Sequence, residues 1–261
     1  MAGQCFESPD VVKYSLLKLK RLNKIKKMLS IDPGDRVLDV GCGGGFFSFY
    51  ISTLGAEVTG VDVEKRNINL CRQFYPNKSI KWIIADAIEL PFPDNSFDKI
   101  LCMEVLEHIP DDKKSIAEIY RVLRKGGIAL FSTPCTNPSF SLIRIKKLFG
   151  VDMSTDFGHV RGGYSNIDLK KILEKQNFKI IQKTYFSYFF TEVIYLGIYL
   201  VRRFLSIKKD NWSGSDLNRL NKRKIFLLYK ILLPVFIVIT TLEDKIFYNL
   251  RGHHLLFLAK K

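Results

Sequence analysis

The sequence predicts an α/β protein built on a parallel sheet. Three observations predict it. Short apolar runs alternate with helical or loop stretches along the first half of the chain, which is the pattern of successive βα units. One of these runs, VLDVGCGGG (37–45), breaks into a glycine-rich turn. An acidic residue closes each of the first three runs: Asp39, Asp62 and Asp86.

Taken in order, VVKYSLLKLKRLNKIKKML (11–29) sets Leu16, Leu19, Leu22, Ile25 and Leu29 at helical spacing, with lysines on the other face. IDPGD (31–35) breaks that helix. Five strands are expected next: RVLDVGC (36–42), EVTGVDV (57–63), IKWIIADA (80–87), FDKILCMEVL (97–106) and GGIALFSTP (126–134). DDKKSIAEIYRVLRK (111–125) reads as a helix between the last two of these. NIDLKKILEKQNF (166–178) is another helix with Asn166 as its N-cap. FKIIQKTYF (178–186) forms a sixth strand and HHLLFLAKK a seventh. Between them lies an insertion, 187–250, with two strongly apolar stretches at 189–201 and 225–242. The basic segment SIKKDNWSGSDLNRLNKRK (206–224) separates the two. The organisation is therefore one α/β domain, residues 1–186 plus 251–261, interrupted by a helical insertion.

At 261 residues and 47% apolar, the chain can bury one large core. Its polar opening, MAGQCFESPD, does not read as a secretory signal. The five cysteines show no CxxC pair, which favours reduced thiols and a cytoplasmic setting and gives no metal site. A formal net charge of +15 draws the surface toward polyanions or anionic membranes.

The glycine turn brings a ligand close to the backbone. It lacks the GxGxxG spacing of dinucleotide binders, and no GxxxxGK[ST] run is present. Asp39, two residues before Gly41, would repel a phosphate and welcome a cation. Asp62 stands where a ribose hydroxyl can be held, and Asp86 where an adenine amino group can. Helix capping would account for one such aspartate, but not readily for three successive ones. The ligand these features fit is S-adenosylmethionine, a sulfonium without phosphates.

VLDVGCGGG (37–45), VTGVDV (58–63), ADAIELPFPDNSFDKI (85–100), EVLEHI (104–109) and EIYRVLRKGGIALFSTP (118–134) resemble the class I S-adenosylmethionine-dependent methyltransferases. The subgroup they look closest to is typified by quinone-biosynthesis methyltransferases. The resemblance implies a Rossmann-like, seven-stranded sheet in the order 3-2-1-4-5-7-6, with the last strand antiparallel. It also implies that Asp39, Gly41 and Gly43 hold the methionine end of the cofactor, Asp62 the ribose, and Asp86 with Ala87 the adenine. Cys42, Val63 and Met103 join this cofactor set. DFGHVRGGYSNIDLKKILEKQNFKI (156–180) resembles the HxR…Y element that many such enzymes place after the fifth strand. The asparagine–glycine–histidine pattern of quinone methylases is missing near the C-terminus, which puts a quinone substrate in doubt.

An acceptor that must lose a proton calls for a neutral histidine. The candidates are His159, in the loop after the fifth strand, with Tyr164 as helper, and His108, after the fourth strand. His253 and His254 take no role in this reading. No DPPY-like run follows the fourth strand, so amino methylation of nucleic-acid bases is disfavoured. In the insertion, Glu192, Lys230 and Pro234 interrupt both apolar stretches. Two membrane crossings would also carry the basic 206–224 segment across the bilayer, against the positive-inside tendency. Interfacial helices, or a helical cap over the site, meet neither objection. SLIRIKKLFG (141–150) adds a second basic, apolar patch. The sequence thus points to methylation of a hydrophobic or lipid small molecule, with peripheral contact to an anionic membrane at its inner face. An RNA or protein acceptor is less favoured, and a non-catalytic membrane-bound scaffold less still.

Overall fold

The computed structural model describes residues 15–76, 79–140, 142, 159–204 and 224–261. Seven strands form one sheet: β1 (Arg36–Val40), β2 (Glu57–Asp62), β3 (Ile80–Ile84), β4 (Phe97–Met103), β5 (Leu123–Pro134), β6 (Lys179–Phe186) and β7 (His254–Lys260). Their order is β3-β2-β1-β4-β5-β7-β6, as the family resemblance implies. The first five run parallel, and β7 lies antiparallel between β5 and β6.

Successive strand residues point to opposite faces, and both faces of this sheet are covered. On β1, Leu38 and Val40 enter one core while Val37 enters the other. On β5, Ala129 and Phe131 join the first and Leu130 the second. That is why these strands read as continuous apolar runs rather than alternating ones.

The helices are α1 (Leu16–Met28), α2 (Phe46–Ser52), α3 (Lys65–Phe74), α4 (Asp112–Val122), α5 (Asn166–Lys175), α6 (Phe189–Phe204) and α7 (Lys224–Ile246), with a 3₁₀ turn at Leu106–His108. The insertion contributes α6 and α7, and α7 continues through Pro234 as one helix. Both dock on α1 through a buried charge cluster. Lys20 donates to Thr191 Oγ1 (3.1 Å), the Thr240 carbonyl (3.0 Å) and Asp244 Oδ1 (3.0 Å). Glu243 accepts from the Thr191 hydroxyl at 2.7 Å.

Four expectations are corrected. The N-cap of α5 is Ser165, not Asn166, because the Ser165 hydroxyl accepts from the Asp168 amide at 3.1 Å. β3 ends at Ile84, so Asp86 lies beyond the strand, in an isolated bridge with Glu89. β4 stops at Met103, before the left-handed Glu104, rather than at 106. β5 starts at Leu123, three residues early, since Leu123 already pairs with Phe97 across a bulge. Apart from Leu142 and Lys224, the patch 141–150 and the segment 206–224 lie outside the described residues.

Candidate active site

The cofactor side begins where β1 runs into the glycine turn. Gly41, Gly43 and Gly45 have φ of 66°, 50° and 71°, a region that residues with a side chain rarely adopt. A Cβ on Gly41 would stand 2.5 Å from Val105 Cγ2, so the turn and the residue after Glu104 pack too closely for any side chain. Asp39 lies beneath this turn, 1% exposed, and accepts a 2.6 Å hydrogen bond from the Ser48 hydroxyl of α2. Burial raises its pKa to about 7; Ser48 opposes the rise and the charge of Asp62 adds to it.

Asp62, at the end of β2, accepts from the Gly43 amide (2.9 Å), the Glu64 amide (2.9 Å) and Asn67 Nδ2 (3.0 Å). Three donors fix the carboxylate and tie it to the glycine turn. About four acceptor positions exist on a carboxylate, so roughly one is left for a further hydroxyl. Cys42 is buried, and its thiol pKa is pushed well up, first by contact with Cys71 and then by burial. The segment carrying Asp86 is held alongside β2 by a bond from the Ala85 amide to the Asp62 carbonyl (3.2 Å). Asp86 itself is exposed and accepts from the Ile88 amide at 3.1 Å, while Ala87 is buried. Val63 is 63% exposed, and Met103 is buried at the end of β4.

The structure therefore bonds Gly43 to Asp62 and Asp39 to Ser48, sets the two carboxyls near enough for the charge of Asp62 to act on Asp39, and holds Asp86 and Ala87 on the neighbouring segment. It buries Asp39 more deeply than a direct ligand contact would require. These residues fit S-adenosylmethionine: a cradle that any Cβ would fill, next to carboxyls suited to a cation and unsuited to phosphate.

A second cluster of polar side chains is built after the C-terminal end of β4. Glu104 adopts φ 59°, uncommon for a residue with a side chain and often a mark of a functional site. Its carboxylate takes Arg21 Nη2 of α1 at 2.9 Å and faces His254 Nδ1 of β7 at 3.1 Å, and Ser132 of β5 also donates to it. Burial would raise its pKa, but Arg21 and then His254 hold it well below the usual carboxylate range. Glu107 is fully buried, its Oε1 has no hydrogen-bond partner among the described residues, and burial, then Glu104, pushes its pKa well up.

His108 and His159 meet edge-on, with ring centroids 4.6 Å apart. Glu107, His108 and His159 bring potential ligand atoms within 4.8 Å of one another, a convergence the sequence reading did not anticipate. Burial, then His108, lowers the pKa of His159. The loop bearing His159 is latched by Arg161, which donates to the carbonyls of Leu106 (2.7 Å), Ile109 (2.9 Å) and Pro110 (2.9 Å) and pairs with Asp112 at 3.1 Å. Tyr164 is buried, and its hydroxyl donates to Asp112 and accepts from Arg161 at 2.7 Å. Burial, then Asp112, raises its pKa strongly, which ties the phenol to the latch rather than to proton transfer. The HxR…Y element thus sets one histidine beside another and fastens the loop with the remaining two residues.

Sequence reasoning missed Ser48, Asn67, Arg21, Glu104 and His254. Glu104 sits in the quoted EVLEHI run and was open to inspection. Ser48 and Asn67 lie nine and five residues from the aspartates they bond, whereas Arg21 and His254 are defined by contacts across the fold.

Comparisons with known proteins agree with this geometry. A family profile described as "Methyltransferase domain" matches residues 38–131. The O-methyltransferase rstn1 of Aspergillus nomiae is 32% identical over 188 residues, covering 68% of this chain and 78% of that protein. A ubiquinone biosynthesis O-methyltransferase of Pseudomonas putida is 36% identical over 129 residues, 48% of this chain and 55% of that enzyme. The chain thus spans about half the length of that second relative. A Haemonchus contortus phosphoethanolamine N-methyltransferase, solved in complex with S-adenosylmethionine, superposes with TM-score 0.60 at 20% identity, covering 93% of this chain and 52% of that one; it shares the fold. With this sheet order, this glycine turn and a relative matched along most of its length, the chain belongs to the S-adenosylmethionine-dependent methyltransferases.

Proposed function

We propose that the enzyme transfers a methyl group from S-adenosylmethionine to an oxygen of a hydrophobic, membrane-associated small molecule. The observation that carries the reading is the latched His108–His159 pair at the end of β4, one strand from the glycine turn. S-adenosylmethionine, when bound, supplies the electrophilic methyl group. Asp62 and the glycine turn would hold its ribose and methionine ends, Asp86 and Ala87 the adenine, and Val63, Cys42 and Met103 would line the pocket.

His159, whose pKa burial and then His108 lower, would serve as the base that takes the proton an acceptor hydroxyl gives up on methylation. Displacement of this kind depends mostly on alignment and a dry site. Alignment is the task of Arg161 and Tyr164, which fasten the His159 loop to the 3₁₀ turn. The O-methyltransferase names of the matched relatives support oxygen as the acceptor atom. The apolar surface of the insertion supports a hydrophobic acceptor.

The test is transfer of label from methyl-labelled S-adenosylmethionine into lipid extracts, with the product identified by mass spectrometry. Label in the lipid phase that depends on His159 supports the reading. Label appearing only in added RNA or protein overturns it.

A further inference from the structure

We propose that α7 docks the enzyme on anionic lipid bilayers, lying in the interface without crossing it. The proposal deepens the reading of a membrane-associated acceptor, yet its geometry stands independently of the chemistry. α7 has two unlike faces. Leu233, Thr240 and Glu243 turn inward and are buried, and Lys20 of α1 clamps that face through the Thr240 carbonyl and Asp244. Leu227, Ile231, Val235, Val238, Leu242 and Ile246 turn outward, each 50% to 69% exposed.

These six positions follow one another by steps of four or three and fall within about a 100° arc of the helix. They form one continuous apolar stripe, roughly 28 Å long at about 1.5 Å per residue. Neither α1 nor α6 covers it. A continuous apolar stripe of this length left exposed marks a docking face.

Charge decides what it docks on. The chain carries a formal net charge of +15, so a second copy approaching the stripe brings a like charge of the same size. An anionic bilayer brings the opposite sign. Lys224 opens the helix, and the exposed Lys245 lies in its last turn. Basic residues at the ends of an apolar stripe suit an interfacial helix, whose apolar side enters the acyl boundary while cations meet headgroups.

Crossing is opposed by the other face, where Glu243 and Asp244 are committed to Lys20 and Thr191. Among the described residues, no helix is long and apolar enough to span a membrane. The contact also lies near the acceptor side. Phe247, just past α7, packs on Phe140 of the segment after β5 with centroids 5.5 Å apart. On α1, Lys20 grips α7 while its neighbour Arg21 grips Glu104.

The experiment is co-sedimentation of the full chain with vesicles of phosphatidylglycerol and phosphatidylcholine, against phosphatidylcholine alone. The double variant Ile231→Ser/Val238→Ser is run beside the unaltered chain. The unaltered chain should pellet with the anionic vesicles and much less with the neutral ones, and high salt should release it only in part. The variant should lose about tenfold or more in anionic-vesicle affinity, with its thermal midpoint and S-adenosylmethionine affinity unchanged because both side chains are exposed. Equal pelleting with both vesicle types, or none with either, overturns the proposal, and this readout needs no variant. A stripe that holds two copies together, seen as a dimer in sedimentation velocity that the variant dissociates with lipid affinity unchanged, overturns it as well. Vesicle binding is read without turnover, so failure of methyl transfer to lipids remains a separate result.

Discussion

Ser48 donates a 2.6 Å hydrogen bond to Asp39, and both side chains are buried under the glycine turn. The bond joins the end of β1 to α2 at the point where the cofactor is expected. It also sets how easily Asp39 ionises.

Burial raises the Asp39 pKa to about 7, from about 3.9 for a free aspartate. A carboxyl shifted upward favours the folded state most when protonated. Its stabilising share is therefore present below the reference value and is lost as pH rises toward about 7. The ligand-free thermal midpoint of the wild type, relative to Asp39→Asn, should fall between pH 4 and 7 and level off above. Affinity for cationic S-adenosylmethionine should move the other way, weakening as pH drops below 7. Calorimetry across that range should show the slope in the wild type and a flatter one in Asp39→Asn.

Ser48→Ala removes the partner that opposes the upward shift. The Ser48 backbone amide still bonds the carboxyl in this variant, and loss of one hydrogen bond to a buried group costs about 1 kcal/mol or somewhat more, so a chemical melt should show a loss of that order. The pH dependence attributed to Asp39 should shift to higher pH in the same variant.

His159→Ala should lower kcat by about 10²- to 10⁴-fold, the usual worth of a positioned base, with S-adenosylmethionine affinity little changed. In the wild type, the acidic limb of the pH–rate profile should fall below the ordinary histidine range, because burial and then His108 lower the pKa of His159. Stopped assays from pH 5 to 8 check both points. A profile unchanged by the substitution removes His159 from the chemistry.

Arg161→Lys should behave as a loss rather than a conservative change, since one ammonium cannot reproduce a planar fork spread over three carbonyls and Asp112. The expected signature is a fall in kcat with cofactor affinity retained, read from paired kinetics and calorimetry.

Lys20→Met should loosen the insertion. The substitution takes the cation from buried Glu243 and leaves Asp244 with Lys24 alone, a defect of up to about 3–5 kcal/mol for a broken buried pair. Hydrogen exchange should rise first in α6 and α7 while β1 to β5 stay protected.

The strands and the glycine turn were legible because they are written in short-range terms. Apolar runs such as VLDV and ILCM mark strands covered on both faces, and closely spaced glycines mark backbone that side chains would forbid. The family resemblance then supplied the strand order, which the structure bears out. Boundaries were less legible: at Ser165 the hydroxyl caps α5 one residue before the expected asparagine, a choice made by the local backbone and not by residue type. The rest was settled by packing between distant segments. Arg21, Glu104 and His254 are separated by most of the chain, and only folding around the end of β4 brings them to one carboxylate. The apolar run of α7 likewise has no visible polarity in sequence, because its hydrophobic residues occur almost all round the helix. Its two faces arise when Lys20 claims one side, since a buried cation must be met by Asp244 and the Thr240 carbonyl, and the opposite side is left outward.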